Sequence, residues 1–243
     1  MKQSLFTIEK NEKIAKDVYK MVLTGDTSEI TRPGQFVNIK IHGLFLRRPI
    51  SVCDYDEDSL TLIYKVVGEG TERMSHMSVG KKLDILTGLG NGYDIETSTD
   101  NPLLIGGGVG VPPLYNLCKK LIGKGVIPKV IIGFNTADEV FCEDDFRQLG
   151  ADVYVTTADG SRGIKGFVTE AMKDIDYTYF YCCGPEPMLK AVYKESKTSG
   201  QFSFEERMGC GFGACMGCSC KTVTGYKRIC KEGPVMLKEE ILW

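Results

Sequence analysis

The sequence has little histidine, no long apolar run and almost no net charge. Its two histidines, His42 and His76, leave little material for a Ser-His-Asp hydrolase or a histidine-rich zinc enzyme. A formal net charge of −2 gives no basis for non-specific attraction to nucleic acid or to an anionic membrane. No apolar stretch approaches the roughly 18–20 residues that span a bilayer, and the N-terminus shows no signal-peptide core. We therefore expect a cytoplasmic protein with no nucleic-acid partner and no membrane partner.

Cysteine, by contrast, is abundant and unevenly distributed along the 243 residues. Five of the ten cysteines lie among apolar residues, and we interpret them as small core hydrophobes, with Cys183 as an exception at a candidate site: Cys53, Cys118, Cys142, Cys182 and Cys183. The other five lie between positions 210 and 230: Cys210, Cys215, Cys218, Cys220 and Cys230. In a reducing compartment, such crowding indicates a metal site rather than disulfides.

The first hundred residues have the pattern of β-structure. Residues 60–66 and 37–41 alternate side chains with a period of two, which is typical of strands with one buried face. Glycine-containing turn signals separate these runs, among them Pro33-Gly34 and Gly68-Glu69-Gly70. Several short strands at this spacing predict a small antiparallel barrel over residues 1–98.

The pattern changes to alternating strands and helices over residues 99–200. Short apolar strands are predicted at 103–105, 130–132, 153–155 and 179–183. A helix is predicted from Pro112-Pro113, with an apolar face of Leu114, Leu117, Cys118 and Leu121, and another after Pro187. This order predicts a parallel sheet. Residues 201–243 are too poor in apolar residues to fold unaided, and we interpret Phe202-Ser203-Phe204 as a linker on the domain edge.

The cysteine spacing is the most specific motif in the chain. In Cys210-x4-Cys215-x2-Cys218-x11-Cys230, the x4-x2 part has the spacing of the loop that wraps a 2Fe–2S cluster in plant-type ferredoxins. Interspersed glycines allow the backbone to curl around inorganic sulfide. The alternative is a structural zinc site, which usually takes two Cys-x2-Cys pairs and so fits this spacing poorly. Cys220 is interpreted as a bystander.

Two further segments are candidate sites for phosphate-containing cofactors. Arg48-Pro49-Ile50-Ser51 places an arginine for a pyrophosphate and a serine for a flavin ring, with Gly70-Thr71 as a second approach to the phosphates. A solvated loop remains the alternative there. Residues 106–110, including Gly106, Gly107, Gly108 and Gly110, join a strand to a helix and predict a dinucleotide site, with Cys183-Gly184-Pro185 at the same sheet edge. The alternative is a tight turn without a ligand.

The order of these segments resembles the ferredoxin–NADP reductase superfamily with a C-terminal 2Fe–2S module. The resemblance is closer still to the family of electron transfer subunits of type B dihydroorotate dehydrogenases, and it covers essentially the whole chain. It is carried by residues 46–51, 63–71, 106–114, 183–185 and 206–215. The fold it implies is a flavin-binding β-barrel (1–98), a nicotinamide-binding α/β domain (99–200) and a 2Fe–2S module (201–243).

The resemblance also implies cofactors, ligands and a partner. FAD would contact residues 48–51, the segment Ile63-Tyr64-Lys65, and Gly70-Thr71, whereas Cys210, Cys215, Cys218 and Cys230 would hold the cluster. In the wider superfamily an aromatic residue often stacks on the flavin where Ile50 stands, so we expect Tyr64 to provide ring packing. The partner would be an FMN-containing catalytic subunit, in a heterotetramer of two subunit types. Electrons would pass from that FMN through the cluster and FAD to NAD⁺, in pyrimidine biosynthesis.

Three points remain alternatives or expectations at this stage. One rival is the small subunit of another flavin and iron–sulfur oxidoreductase, of the ferredoxin–NADP reductase or sulfide dehydrogenase type. A second rival is a redox-sensing module that binds the same cofactors without transferring electrons to a partner. Acidic residues at Asp138 and Glu139 are expected to repel a 2′-phosphate, which predicts NAD over NADP.

Overall fold

The computed structural model describes residues 1–97 and 100–243. The boundary predicted between residues 98 and 99 lies outside the described residues. Within the described chain, no helix is both long and apolar enough to cross a bilayer.

Six strands form the N-terminal part of the molecule. They are β1 (Lys2–Ala15), β2 (Val18–Thr24), β3 (Phe36–Ile39), β4 (Arg48–Tyr55), β5 (Ser59–Lys65) and β6 (Lys82–Leu89). They pair antiparallel and close into a barrel in the order β1-β2-β5-β4-β3-β6. Alternate side chains point inward and fill the interior, among them Phe6, Leu23, Val37, Leu60 and Ile85. The predicted antiparallel barrel is confirmed.

A short helix, α1 (Glu69–Ser75), lies between β5 and β6. The sequence indicated only a turn at residues 68–70, and the structure corrects this prediction. The chain continues as a helix because the Thr71 hydroxyl accepts hydrogen bonds from the backbone N–H groups of Val67 and Gly68, at 3.0 and 3.3 Å. Met74 then packs into the barrel core and anchors the helix.

The second half of the chain forms an α/β layer. Its elements are β7 (Pro102–Gly107), α2 (Pro113–Gly123), β8 (Lys129–Phe134), α3 (Glu143–Gln148), β9 (Asp152–Thr157), β10 (Ile164–Lys165), α4 (Val168–Met172), β11 (Tyr179–Cys183), α5 (Glu186–Glu195), β12 (Gly200–Ser203), β13 (Ser219–Thr222), β14 (Gly225–Arg228) and β15 (Val235–Leu237). A seven-stranded sheet runs in the order β10-β9-β8-β7-β11-β12-β15, and β13 and β14 form a separate hairpin. The predicted parallel sheet is confirmed over its first six strands.

The prediction that Phe202-Ser203-Phe204 is a linker is wrong. Residues 200–203 form β12, which pairs in parallel with β11, and Phe202 is fully buried against Phe180. The chain then leaves the sheet, carries the cysteine-rich segment, and returns as β15, which pairs antiparallel with β12. The C-terminal segment therefore contributes two strands to the sheet, and the sheet extends past residue 200.

Candidate cofactor sites

The predicted flavin-binding strand, β4, lies beside β3 in a defined register. Phe36 pairs with Ser51, Val37 with Ile50, and Asn38 with Pro49. Directly opposed residues of antiparallel strands share a sheet face. Val37 and Ile50 pack into the barrel core, so Asn38, Pro49 and Ser51 belong to the outer face, on the same side as Phe36.

Arg48 is placed against the glycine of the following loop. A Cβ at Gly70 would overlap the Arg48 side chain, with Nε only 2.1 Å away, so only glycine permits this approach. The guanidinium group donates to the Leu46 carbonyl at 2.5 Å and otherwise remains partly exposed. The structure thus brings Arg48 and Gly70 together, as a shared phosphate site requires. The Thr71 hydroxyl, in contrast, is engaged in capping its own turn.

Tyr64 does not face the outer surface of the barrel. Its ring is 2% exposed and stacks on Tyr19 at 5.9 Å, and its hydroxyl donates to Asn11 Oδ1 at 3.0 Å. Burial raises the pKa of this phenol. This position of Tyr64 does not fit the expected stacking on a flavin ring. The prediction that residues 63–65 contact FAD therefore rests on their backbone and on Lys65.

Lys65 joins the barrel to the α/β layer. Its ammonium group lies 3.2 Å from Glu139 Oε1. Burial works against ionisation of Glu139, but hydrogen bonds from Asn135 and Lys65 outweigh it and lower the pKa of the carboxyl group. Asp138 lies 3.6 Å from Lys16 in the same way. The two acidic residues expected to repel a 2′-phosphate are therefore both paired with lysines of the barrel.

The two predicted nicotinamide segments meet at the switch point of the sheet. The chain moves from β7 through β8 and β9 in one direction, and β11 then pairs on the opposite side of β7, with Cys183 opposite Gly106. Open α/β sheets bind ligands at the carboxyl ends of strands at such a point. A Cβ on Gly110 would lie 2.3 Å from the Cys183 carbonyl oxygen, so the two loops are in direct backbone contact.

Cys183 ends β11 at this edge of the sheet. Burial raises the pKa of its thiol to about 12, against smaller opposing contributions from Ser203 and Tyr93. A neutral thiol at this position can pack beside a ligand but is a poor nucleophile. The other four scattered cysteines are buried, as predicted for core residues: Cys53, Cys118, Cys142 and Cys182.

The cysteine-rich loop arranges four thiols as two pairs. Cys210 Sγ accepts hydrogen bonds from the backbone N–H groups of Ala214 and Cys215, at 3.2 and 3.4 Å. Cys218 Sγ accepts one from the backbone N–H of Cys230 at 3.4 Å. Hydrogen bonds between side chains join the thiols of Cys210 and Cys215 in one pair and those of Cys218 and Cys230 in the other. A two-iron cluster takes two protein thiolates on each iron, whereas zinc draws all four to one ion.

The pKa of Cys210, in the first pair, is shifted in the opposite direction to that of Cys230, in the second. Burial alone would raise the pKa of Cys210, but hydrogen bonds from Phe212, Cys215 and Ala214 lower it to about 6. Burial, followed by the neighbouring Cys218 thiol, raises the pKa of Cys230 to about 12. Over residues 1–97 and 100–243, no group of three or more acidic, cysteine or histidine side chains is already drawn together as ligands of a single metal ion.

Cys220 stands apart from the four thiols. It lies on β13, packs against the core of the α/β layer, and has its sulfur 4.0 Å from Met236 Sδ. Burial raises the pKa of its thiol. This location agrees with the interpretation of Cys220 as a bystander.

Asn38 is a residue that the sequence analysis missed. Its side-chain Nδ2 donates to the Cys210 carbonyl at 3.2 Å, across 172 positions of sequence. No local pattern marks this asparagine, because its role depends on the barrel and the cysteine loop meeting in space. The contact joins the strand beside Pro49 to the first residue of the cysteine motif.

Two parts of the chain match models of known protein families. A family model described as the iron–sulfur cluster binding domain of dihydroorotate dehydrogenase B matches residues 205–242. A model described as an oxidoreductase NAD-binding domain matches residues 104–194.

Two curated relatives are similar over nearly their whole length. A dihydroorotate dehydrogenase B (NAD(+)) electron transfer subunit of Fusobacterium nucleatum is 45% identical, covering 97% of this chain and 96% of that one. A subunit of the same name from a Geobacillus species is 42% identical, covering 100% and 99%.

Solved structures share the fold. The structure of an NADH-dependent reduced ferredoxin-NADP oxidoreductase, described in connection with flavin-based electron bifurcation, superposes with a TM-score of 0.90 at 32% identity. The match covers 98% of this chain and 90% of that one. Phthalate dioxygenase reductase superposes with a TM-score of 0.67 at 15% identity, covering 90% and 86%, which shows likeness of fold alone.

Proposed function

The chain belongs to the family of electron transfer subunits of dihydroorotate dehydrogenase B, and on that premise we propose that it passes electrons between an FMN-containing catalytic subunit and NAD⁺. In the complex, the partner would oxidise dihydroorotate to orotate, a step in pyrimidine biosynthesis. This chain would contribute sites for FAD, one 2Fe–2S cluster and the nicotinamide. Bound together, a flavin exchanges electron pairs with a nicotinamide and single electrons with an iron–sulfur cluster.

One observation carries this proposal. The identity of 42–45% extends over essentially the whole chain, so it includes the barrel, the α/β layer and the cysteine-rich segment together. A plain flavin reductase would match only the first two parts. The ferredoxin-NADP oxidoreductase type is the rival with the most support, since its structure also spans the whole chain, but at a lower identity of 32%.

The proposed cluster ligands are Cys210, Cys215, Cys218 and Cys230. Their arrangement as two pairs supports two irons rather than one zinc ion. Backbone N–H groups already directed at the sulfur of Cys210 favour its thiolate form, which is the form that binds metal. Gly211 and Gly213 adopt φ of +78° and +91°, which allows the loop to curl back toward these sulfurs.

The barrel and the α/β layer contain the other residues that we propose to bind cofactors. Arg48 would hold the FAD pyrophosphate, since its guanidinium lies against the glycine loop at Gly70 and stays accessible. Pro49 and Ser51 would border the flavin ring on the outer face of β4. Residues 106–110 and 183–185 would border the nicotinamide at the switch point of the sheet. The domain division at residues 98/99 and 200/201 is part of the same proposal.

The proposed docking face for the catalytic subunit surrounds the cysteine loop. Phe212 and Met216 lie within this loop and are 42% and 54% exposed, and Cys215 between them is also exposed. Exposed apolar side chains next to a redox centre suit a partner that must approach it closely. We also propose a heterotetramer of two subunit types, working in the cytoplasm, where cysteines without disulfide bonds stay reduced.

The test is anaerobic co-expression with the FMN-containing subunit, followed by purification and analysis. We expect FAD, iron and acid-labile sulfide in this chain, and reduction of NAD⁺ by dihydroorotate only when both subunits are present. Light scattering should give the mass of a heterotetramer, and NADH should be preferred to NADPH. Zinc in place of sulfide contradicts the cluster. FAD binding without NADH-dependent reduction of an artificial acceptor would instead favour a sensing module.

A further inference from the structure

Asn38 occupies an unusual position between the two halves of the molecule. It is 1% exposed, on the outer face of the barrel, opposite Pro49 of the strand proposed to bind the flavin. Its Nδ2 donates to the Cys210 carbonyl. A Cβ on Gly211 would lie 2.4 Å from the same nitrogen, and Gly211 has φ of +78°, so the loop approaches the amide as closely as glycine allows.

The orientation of this amide follows from its partner. The group of Cys210 that faces Asn38 is its backbone carbonyl oxygen, which only accepts hydrogen bonds, so the nitrogen of the Asn38 amide must point toward it. Oδ1 then points elsewhere, and among the described residues this buried atom has no hydrogen-bond partner. Buried acceptors in folded proteins are almost always paired. Because Asn38 lies opposite Pro49 and contacts Cys210, its unpaired acceptor is available to a donor on a group bound at this face.

The backbone of Asn38 is held independently of its side chain. Its carbonyl oxygen accepts from Arg47 Nη1 at 3.2 Å, and Arg47 pairs with Asp84 at 2.9 Å. These contacts fix the strand, so the side-chain amide is presented at a fixed place. Because the strand is fixed, the Asn38 amide can hold two bound groups at a constant position relative to each other.

We propose that Asn38 is a positioning residue that links the flavin to the cluster: its amide nitrogen holds the Cys210 carbonyl, and its free Oδ1 accepts a hydrogen bond from an N–H group of the flavin ring. The inference rests on the proposed function, which supplies both groups. Holding the Cys210 peptide also orients the N–H groups of Ala214 and Cys215 toward the Cys210 sulfur. Hydrogen bonds to cluster sulfurs tune the reduction potential.

The test compares Asn38→Leu with Asn91→Leu. Asn91 is a matched control because its amide also holds the cysteine-bearing segment, donating to the Glu232 and Val235 carbonyls and accepting from the Val235 N–H. Within residues 1–97 and 100–243, these are backbone groups of the segment, and no hydrogen bond of the Asn91 amide reaches the cysteine loop at Cys210. Fluorescence titration of FAD into flavin-depleted protein gives its affinity, and electron paramagnetic resonance during a redox titration gives the cluster signal and midpoint potential.

Asn38→Leu should weaken FAD binding on the order of tenfold, the loss of about one hydrogen bond, and should change the cluster signal and potential. Asn91→Leu should lower the melting temperature but leave FAD affinity and the cluster signal unchanged. Asn38→Asp keeps the acceptor and the size, in case the leucine variant fails to fold; it should shift the cluster signal while binding FAD more tightly than Asn38→Leu.

Two results would overturn the inference. If folded Asn38 variants keep wild-type FAD affinity and the wild-type cluster signal, the residue has no positioning role. If only the cluster signal changes, in Asn38→Leu as well as in Asn38→Asp, Asn38 is a loop contact and does not reach the flavin. Wild-type protein that lacks FAD or acid-labile sulfide would instead contradict the proposed function, so the two failures are distinguishable.

Discussion

Individual cysteines of the C-terminal segment have different environments despite their common spacing. Cys218 and Cys230 are buried, Cys210 is partly buried, and Cys215 is exposed. Spacing selects the first three proposed ligands from sequence, because x4-x2 is distinctive. The same spacing leaves Cys220 out of the motif, two residues beyond Cys218, but it does not show where that thiol lies. Only the contact of Cys220 with Met236 shows that its thiol belongs to the sheet side of the module.

Serine replacements of Cys218 and Cys220 should therefore differ in their effect on the iron and sulfide content. Cys218→Ser is expected to lose most iron and acid-labile sulfide, because serine replaces a thiolate ligand. Cys220→Ser is expected to retain both, with a stability change of about 1 kcal/mol at most for a half-buried thiol. Iron and sulfide assays on anaerobically purified protein, with the visible spectrum, provide the measurement. Equal loss in both variants would place Cys220 among the ligands.

Secondary-structure elements with a strong local period were predictable, and those defined by distant partners were not. The helix from Pro113 was predicted because Leu114, Leu117 and Leu121 repeat at helical spacing, and all three are buried in α2. The barrel strand at 60–65 was predicted by its alternation. By contrast, β12 has only four residues and gains its structure from pairing with β11. Helix α1 was missed because two glycines at its start have the pattern of a turn.

The flavin face and the dinucleotide loops were identified as segments, whereas their environments required the fold. Alternation along β5 puts Tyr64 on the same strand face as Leu60 and Leu62, so its place inside the barrel was predictable, and the expectation that its ring packs on the flavin went against that pattern. The sequence could not reveal that Asp138 and Glu139 pair with Lys16 and Lys65 of the barrel. These contacts join residues about 70 or more positions apart, beyond the range of any local pattern.

The ion pair between β5 and the turn after β8 should contribute to stability in a pH-dependent way. The pKa of Glu139 is lowered in the folded protein, so its contribution is present above its ordinary value near 4.5 and is lost as the pH falls below that value. Glu139→Gln should cost about 0.5–1 kcal/mol at pH 7, a modest value because Lys65 is 35% exposed. The difference from wild type should therefore shrink as the pH falls below 4.5.

Thermal unfolding of wild type and variant at pH 7, 5 and 4, followed by far-UV circular dichroism, provides the measurement for this ion pair. Asp138→Asn is the matched control, because Asp138 and Lys16 are both more than half exposed and their pair should contribute almost nothing. A Glu139→Gln penalty that persists unchanged at pH 4 would show that the carboxylate charge is not its source.

At the scale of the whole molecule, the chain's one tryptophan reports on how the C-terminal segment joins the rest. Trp243 packs against Phe204 and Tyr193, with ring centroids 5.6 and 6.1 Å away, and Lys190 lies 5.2 Å from the centre of its ring. Tyr193 and Lys190 belong to α5 of the α/β layer. The last residue of the chain is thus held by the same layer that carries the dinucleotide loops.

Tryptophan fluorescence and far-UV circular dichroism should therefore report one thermal transition. The C-terminal strand β15 is a member of the main sheet, so loss of the segment should accompany loss of the sheet. Trp243→Phe should abolish the fluorescence transition and leave the dichroism midpoint within a few degrees of wild type, a shift of about 1 kcal/mol or less. A fluorescence midpoint well below the dichroism midpoint would show that the tail melts on its own.

The path of the chain around β12 and β15 has a consequence for how such proteins arise and diverge. Ser203 and Val235 are direct neighbours in the sheet, and Phe204 N–H bonds to the Pro234 carbonyl, so the intervening segment leaves and re-enters the fold at one point. A tight hairpin could join those two strands without moving either. The iron-binding portion is thus an insertion with adjoining ends, which evolution can add, exchange or delete while the flavoprotein body keeps its architecture.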